Sequence, residues 1–534
     1  MSEGVTHLQA NIAAMIRQKL PIGIQTFAKI REDECYYVDK TKLILQLIGE
    51  GSHYFLSRPR RFGKSLLIDT IAELFAGSQA LFAGLYCHDK WDWSKQYPVI
   101  RISFTEGVRG GVAGLDQRVR EILAQEQKRL GVTCVNQSVA GVLSELISET
   151  HAATGQRVVV LIDEYDKPIL DSISRPDEAC EIREALRNLY SVLKASDAHI
   201  KFAMLTGVSK FSKVSLFSGL NNLRDITVSG DYSAICGYTD ADVDSVFAPE
   251  LEGLDRSEIK RWYNGYNWLG DSVYNPFDLL LLFRERQFKP YWFETGTPTF
   301  LIEMLTQRQV WLPKLGEVVA DFELLSAFDV DAISTPALMF QAGYLTLDHT
   351  ERVFEETQYT LRFPNLEVYQ SLYNSLLRVW TSSAIDAQPM MKNKRSLGQL
   401  LLVNDFVGMQ TLFTTFFASI PFEWFTNNPI AQYEGYYASV FYSYFAALGL
   451  EITTEESSNA GRLDMAVRFN GHIYLFEFKV VELAPEGRAL AQIKAKGYAD
   501  KYLGDGQPIH LIGVEFSKAS RSVVGLEVEM LQSR

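Results

Sequence analysis

Apolar and polar residues alternate along this chain in three distinct regimes. In the first, an apolar run at 54–56 enters a polar turn, and a helical pattern begins near Lys64. Further runs follow at 98–104 (PVIRISF), 157–166 (RVVVLIDEYD) and 200–209 (IKFAMLTGVS). Each is a stretch of about 5–6 apolar residues bounded by charge, the pattern of strands buried on both faces of a parallel sheet. Residues 115–130 and 177–195 between them carry helical periodicity. Alternating strands and helices predict a doubly wound parallel sheet over roughly residues 20–230.

From about 235 to 430 the pattern turns helical, with aromatic-rich turns at 263–266 and 274–277 and a strand-like element at 337–347. The aromatic stripes here read as core, where large apolar rings are usually found. A third regime opens after Pro421. A helix at 434–448 precedes extended segments EITTEES, RLDMAVRF and HIYLFEFKVV, then a helix over 487–501 and a strand at 508–516. No repeat or low-complexity tract appears, which excludes a solenoid.

With 534 residues the chain holds several domains, since single cores stop growing near roughly 250–300 residues. The hydrophobic fraction of 47% argues for folded domains, and the net charge of −13 argues against a wholly basic nucleic-acid-coating surface. Five cysteines without a CxxC pair read as free thiols. Neither a secretory leader nor an uninterrupted apolar span is present, so a cytoplasmic location is expected. The histidines show no metal-ligand spacing.

Chemistry enters at RPRRFGKSLL. Gly63-Lys64-Ser65 falls between a strand and a helix, the setting of a phosphate-binding loop. Backbone N–H groups at the helix start cradle phosphate, Lys64 reaches the β/γ-phosphates and the Ser65 hydroxyl holds Mg²⁺. Arg60, Arg61, Phe62 and Leu66 complete the expected cofactor-binding segment. Arg58 stands where the loop's first glycine is usual, so the loop is a variant. The partner signal is VVVLIDEYD, a buried strand delivering Asp163 and Glu164 at its C-terminal end, where open α/β sheets bind ligands. Asp163 suits Mg²⁺ and Glu164 suits activation of water. Thr206 ends the next strand and is a candidate γ-phosphate sensor. Arg224 reads more simply as a surface ion pair.

These residues, with PIGIQTFAKIREDECYYVDKT, LTGVSKFSKVSLFSGLNNLRDIT, YNGYNW, YNPFDLL, WFETGTPTFL and FQAGYLTL, resemble the bacterial AAA-ATPase-like family. The resemblance implies ATP as cofactor, a helical lid, a winged-helix-like unit and a C-terminal nuclease-like domain. In related ATPases the segment at Asp39, Lys40 and Thr41 contacts the nucleotide base.

In the third regime, GRLDMAVRFNGHIYLFEFKVV supplies Asp464, Glu477 and Lys479. Strand alternation puts Glu477 and Lys479 on one face. Asn470-Gly471 predicts a hairpin that returns Asp464 to Glu477. Two carboxylates suit a hard divalent cation, and a lysine suits a phosphate's developing charge. Burying such charges within YLFEFKVV without a function is costly. Glu434 heads the preceding helix, and Gln492, Lys494 and Tyr498 are expected on a helix facing the site. The order resembles the PD-(D/E)xK nuclease superfamily, with Leu463 in place of the leading proline.

The whole reads as an N-terminal segment (1–20), a P-loop ATPase domain (21–232), a helical lid and winged-helix-like region (233–380), a helical linker (381–425) and a restriction-endonuclease-like α/β domain (426–534). The expected activity is ATP-regulated, divalent-metal-dependent cleavage of nucleic acid, with DNA as the expected substrate, Mg²⁺ or Mn²⁺ at the nuclease site and self-assembly of copies. The resemblance extends this to defence against phage or mobile elements. The alternative is a nucleotide-switched scaffold whose nuclease fold is inactive.

Overall fold

The computed structural model describes residues 17–210, 222–296, 334–380, 388–418, 434–458 and 461–531, with scattered positions between 301 and 325. The chain separates into two units, Met1–Gly296 with Val318–Asn365 and Thr297–Glu317 with Leu366–Arg534.

The first unit is built on five parallel strands, β1 (His53–Ser57), β2 (Val99–Ser103), β3 (Val158–Asp163), β4 (Ile200–Gly207) and β5 (Arg224–Asp225), in the order β2-β3-β4-β1-β5. β3 is buried along its whole length, which explains its unbroken apolar run. The order inserts β4 between β1, which leads into the phosphate loop, and β3, which ends in the acidic pair. Helices α1 (Phe27–Glu32), α2 (Thr41–Glu50), α3 (Lys64–Ala76), α4 (Gly111–Leu130), α5 (Val139–Thr154), α6 (Lys167–Leu170) and α7 (Pro176–Ala195) accompany the sheet.

Beyond the sheet come α8 (Asp240–Val246), α9 (Arg256–Tyr263), α10 (Pro276–Glu285) and α11 (Tyr291–Gly296). Thr239 opens α8 with a reciprocal capping box, and Asn275 accepts from the Phe277 N–H to start α10 behind Pro276. Their buried faces form one cluster through Val243, Phe247, Ile259, Tyr263, Tyr274 and Leu279. One helix and a small sheet follow: α12 (Thr335–Ala342) and the antiparallel strands β6 (Val318–Ala320), β7 (Thr346–Val353) and β8 (Glu356–Arg362), ordered β6-β8-β7. The strand expected at 337–347 is thus mostly helix. Pro336 sits in the first turn of α12 and Gly343, at φ +90°, stops it, leaving only the last residues to start β7.

The second unit centres on a sheet ordered β13-β12-β11-β10-β9, formed by β9 (Glu451–Ser458), β10 (Gly461–Phe469), β11 (His472–Val481), β12 (Ile509–Ser517) and β13 (Ser522–Leu531). Only the β11–β12 pair is parallel. Asn470 (φ +49°) and Gly471 (φ +75°) form a two-residue turn between paired Phe469 and His472, the twist-compatible hairpin their side chains favour. Helices α13 (Leu366–Trp380), α14 (Gln388–Leu402), α15 (Phe406–Ala418) and α16 (Glu434–Ala447) belong to this unit. Phe441 and Phe445 of α16 cover Phe476 and Phe478 on one face of β11, and Phe413 of α15 stacks on Phe441. On the other face lies α17 (Arg488–Ala495). The helix expected over 487–501 ends at Ala495, because Gly497 at φ +57° turns the chain into a 3₁₀ segment, Asp500–Asp505. β13 extends the sheet beyond the elements expected from the sequence. No described helix is long and apolar enough to cross a membrane.

Candidate nucleotide and nuclease sites

The nucleotide site grows from the turn between β1 and α3. Arg61 (φ +68°) and Gly63 (φ +90°) take left-handed backbone to reverse the chain, and Lys64 opens the helix. The Lys64 ammonium is buried and donates to the carbonyls of Arg58 (2.8 Å) and Pro59 (2.9 Å). Burial pulls its pKa down, while Asp163 and Asp166 oppose that shift. A cleft of about 400 Å³ opens over this turn, lined by Arg60, Arg61, Gly63, Lys64, Ser65, Leu66, Glu164 and Asp166. Phe62 does not line it. Its ring is buried edge-on against Tyr266 and Trp268, so it packs the loop instead of meeting a ligand in the cleft.

β3 and β4 place the acids. Buried Thr206 donates from Oγ1 to Asp163 Oδ1 at 2.7 Å, joining the expected sensor to the expected cation ligand. Glu164 follows with φ +54° and lines the cleft, its carboxyl pKa raised by burial and next by Asp163. Asp166, buried as well, accepts from the N–H of Val208 (3.0 Å), the N–H of Ser209 (2.6 Å) and the Ser209 hydroxyl (2.7 Å). It ties the end of β3 to the turn after β4.

Further lining residues do not stand out in the sequence. They are Gly23, Ile24, Gln25 and Ile30, with Tyr238 and Phe277, and Arg61 lies over the Phe277 ring at 4.8 Å. Of these, Gly23 to Gln25 lie in the segment PIGIQTF. Asp39 instead accepts from the Thr41 N–H and hydroxyl and from the Tyr86 N–H, so its carboxylate holds local backbone. Lys40 pairs with Asp242 at 2.7 Å, and Arg224 makes a half-exposed pair with Glu50 at 2.8 Å.

In the second unit, pairing of β10 with β11 runs from Phe469–His472 to Met465–Phe476 and stops there. The next position would oppose Asp464 to Glu477. Instead the strands part, and Asp464 Oδ2 accepts the Phe478 N–H at 2.8 Å. At this fork Glu477 is almost wholly buried, 1% exposed, and its Oε1 accepts from Lys479 Nζ (3.0 Å) and from Gln492 Nε2. Lys479 also donates to the Phe478 carbonyl at 2.9 Å. Asp464, Glu477, Lys479 and Gln492 are therefore brought together. Glu434 begins α16, and its side chain lies outside the described residues.

Two residues of β12 bring α17 into place. Gly513 is in register with Glu477, and a Cβ there would stand 2.3 Å from the Leu490 nitrogen, so only hydrogen fits beneath the helix. Glu515, in register with Lys479, accepts the N–H groups of Glu486, Gly487, Arg488 and Ala489 with a buried carboxylate. That fixes the positive end of the helix. Lys494, expected toward the site, instead pairs with Glu529 of β13 at 2.6 Å, and Tyr498 is buried in the core beside Leu463 and Ile493. Among the described residues, no group of three or more His, Cys, Asp or Glu is gathered for a metal. All five cysteines are free thiols.

Residues 21–217 match the model of a predicted AAA-ATPase family, and 432–525 that of the PD-(D/E)XK nuclease superfamily. Across almost its whole length, 97% of this chain and 100% of its relative, the sequence is 63% identical over 518 residues to an uncharacterized protein in the vnfD 5′ region of Azotobacter chroococcum mcd 1. The chain belongs to this family of predicted AAA-ATPases carrying a PD-(D/E)XK nuclease superfamily domain. Among solved structures it is similar to Cdc6p from Pyrobaculum aerophilum, at 11% identity and a TM-score of 0.24, over 63% of this chain and 94% of that one.

Proposed function

We propose that the chain is an ATP-regulated, divalent-metal-dependent nuclease acting on nucleic-acid phosphodiester bonds, DNA foremost. The observation that carries it is the convergence of Asp464, Lys479 and Gln492 on the buried Glu477 at the β10–β11 fork. Lys479 sets a positive charge between the Glu477 carboxylate and the Phe478 carbonyl, hard oxygens of the type that Mg²⁺ or Mn²⁺ takes. Asp464, Glu477 and that carbonyl would hold such a cation, which would polarise the scissile phosphate and make water acidic enough to attack. Gln492 orients the Glu477 carboxylate. Lys479, freed from Glu477, offsets charge developing on the phosphate.

In the first unit, Lys64 would exchange two loop carbonyls for the β/γ-phosphates, with Ser65 and Asp163 holding Mg²⁺ and Arg60 and Arg61 adding positive charge. Thr206 orients Asp163, and the raised pKa of Glu164 suits a group that takes a proton from water. The apolar wall of Ile24, Tyr238 and Phe277 fits a flat base. Copies assemble around this module, and defence against phage or mobile elements is a process that such coupling would serve.

The test is cleavage of plasmid, single-stranded DNA and RNA with Mg²⁺ or Mn²⁺, with and without ATP. Lys479→Ala should abolish cleavage, and Lys64→Ala should remove only its response to ATP. No metal-dependent cleavage of any of the three substrates would favour a nucleotide-switched scaffold with an inactive nuclease fold, and cleavage that survives chelation or Lys479→Ala would overturn this site as its source.

A further inference from the structure

The loop that holds Lys64 lacks the flexible first glycine of ordinary phosphate loops and carries Arg58 there, with Pro59 after it. Arg58 is 1% exposed, among the largest fully buried side chains described. Burying a guanidinium is costly unless its donors are matched. Nη1 donates to the carbonyls of Ser57 (2.9 Å) and Thr227 (2.8 Å), and Nη2 to that of Tyr232 (3.2 Å). The plane lies over the Trp268 ring, 3.9 Å from its centroid. Among the described residues no carboxylate pairs with it, and its Nε has no hydrogen-bond partner. Burial lowers its pKa only to about 10, so the group stays charged at neutral pH.

The neighbours of Arg58 are also held by residues distant in the chain. Trp292 donates from Nε1 to the Arg60 carbonyl at 3.1 Å. Pro59 meets Gly343 so closely that a Cβ there would lie 2.6 Å from the proline ring. Phe62 packs on Tyr266 and on Trp268, which thus touches both Arg58 and Phe62. The two carbonyls that grip Lys64 belong to Arg58 and Pro59.

We propose that Arg58 and Trp268 form a clasp that shapes the phosphate loop, so that nucleotide is taken up only while residues 224–275 are seated on it. Arg58 is a positioning residue, acting on phosphate through the carbonyls that set Lys64. The clasp replaces glycine freedom with a contact to another element, which makes the loop's shape conditional on that element's position. This inference rests on the ATP-binding reading of the cleft.

The experiment is equilibrium binding of Mg·ATP and of a non-hydrolysable analogue to the full chain, with steady-state hydrolysis beside it. Arg58→Lys keeps the charge but loses the planar fork and the stack, and should weaken ATP about tenfold, as a rise in KM with kcat retained. Trp268→Leu should match it, Trp268→Phe should lose less, and the Arg58→Lys/Trp268→Leu double variant should lose less than the product of the single effects. The fluorescence difference between wild type and Trp268→Phe should shift on adding ATP, a signature that a purely structural tryptophan would lack. Wild-type affinity in both Arg58→Lys and Trp268→Leu, or full additivity, overturns the clasp while leaving the ATP reading intact. A wild type that binds no ATP overturns both.

Discussion

Replacing Gly513 by alanine tests whether the nuclease site depends on the seating of α17. The new Cβ would stand 2.3 Å from the Leu490 nitrogen and 2.8 Å from its Cα, both backbone atoms that no rotamer change can move. Ordinary contact is roughly 3.5–4.0 Å, so the helix must lift by about 1 Å. Overpacking of this kind costs about 1–3 kcal/mol. In a unit of this size that corresponds to a fall of about 2–12 °C in melting temperature. The same lift moves Gln492 from Glu477 and strains the four N–H contacts to Glu515, so cleavage should fall further than stability. Gly504→Ala is the control, since its Cβ meets nothing within 4 Å. Thermal unfolding followed by circular dichroism and a plasmid-cleavage assay read the two effects. A Gly513→Ala protein that melts with wild type and cuts at the wild-type rate would refute the reasoning.

Thr206→Val removes the hydroxyl that donates to Asp163 at 2.7 Å while keeping shape, and should lower ATP turnover about tenfold with nucleotide affinity little changed, as read by steady-state kinetics. Asp166→Ala leaves three donors at Val208 and Ser209, the two on Ser209 buried, without their acceptor, and should destabilise the first unit by about 2–4 kcal/mol in urea unfolding. His510 shares a hydrogen bond of 2.9 Å with His472 and stacks on Tyr474; burial, and next the His472 charge, lowers its pKa from 6.5 to about 4. Between those values the unfolded chain binds more protons than the folded one, so stability present above pH 6.5 is lost as pH falls toward 4. Denaturant unfolding at pH 7 and pH 5 should show a larger loss in wild type than in His510→Leu, where buried His53 still contributes.

The parts of the fold written in local pattern were legible in the sequence. Unbroken apolar runs gave β1 to β4, and Asn470-Gly471 with strand alternation placed Asp464 and Lys479 around Glu477. Where the outcome depended on distant partners, pattern failed. The hydrogen bond from Thr206 to Asp163 joins two strands that the sequence does not show to be neighbours. Lys494 has the spacing to face the site, but Glu529 on β13 draws it aside. Met339 and Phe340 suit strand or helix equally by hydrophobicity, and the decision lay with Pro336 and Gly343. The Ile24 and Phe277 wall gathers segments far apart in the chain, and no local period announces it.

The parallel pairing of β11 with β12 also fixes the order in which a growing chain acquires these groups. Asp464, Glu477 and Lys479 sit on one hairpin, which forms from contacts close in sequence. The seat for Gln492 is supplied by Gly513 and Glu515, and a parallel partner is reached only through a crossover, the slowest kind of strand to add. Limited proteolysis of a chain ending at Asp505 should therefore cut freely within residues 482–505. A ribosome releasing this protein exposes the acidic residues and the lysine before the strand that organises them. On the proposed nuclease reading, a chain released before β12 would carry these groups without the seat that holds Gln492 against Glu477.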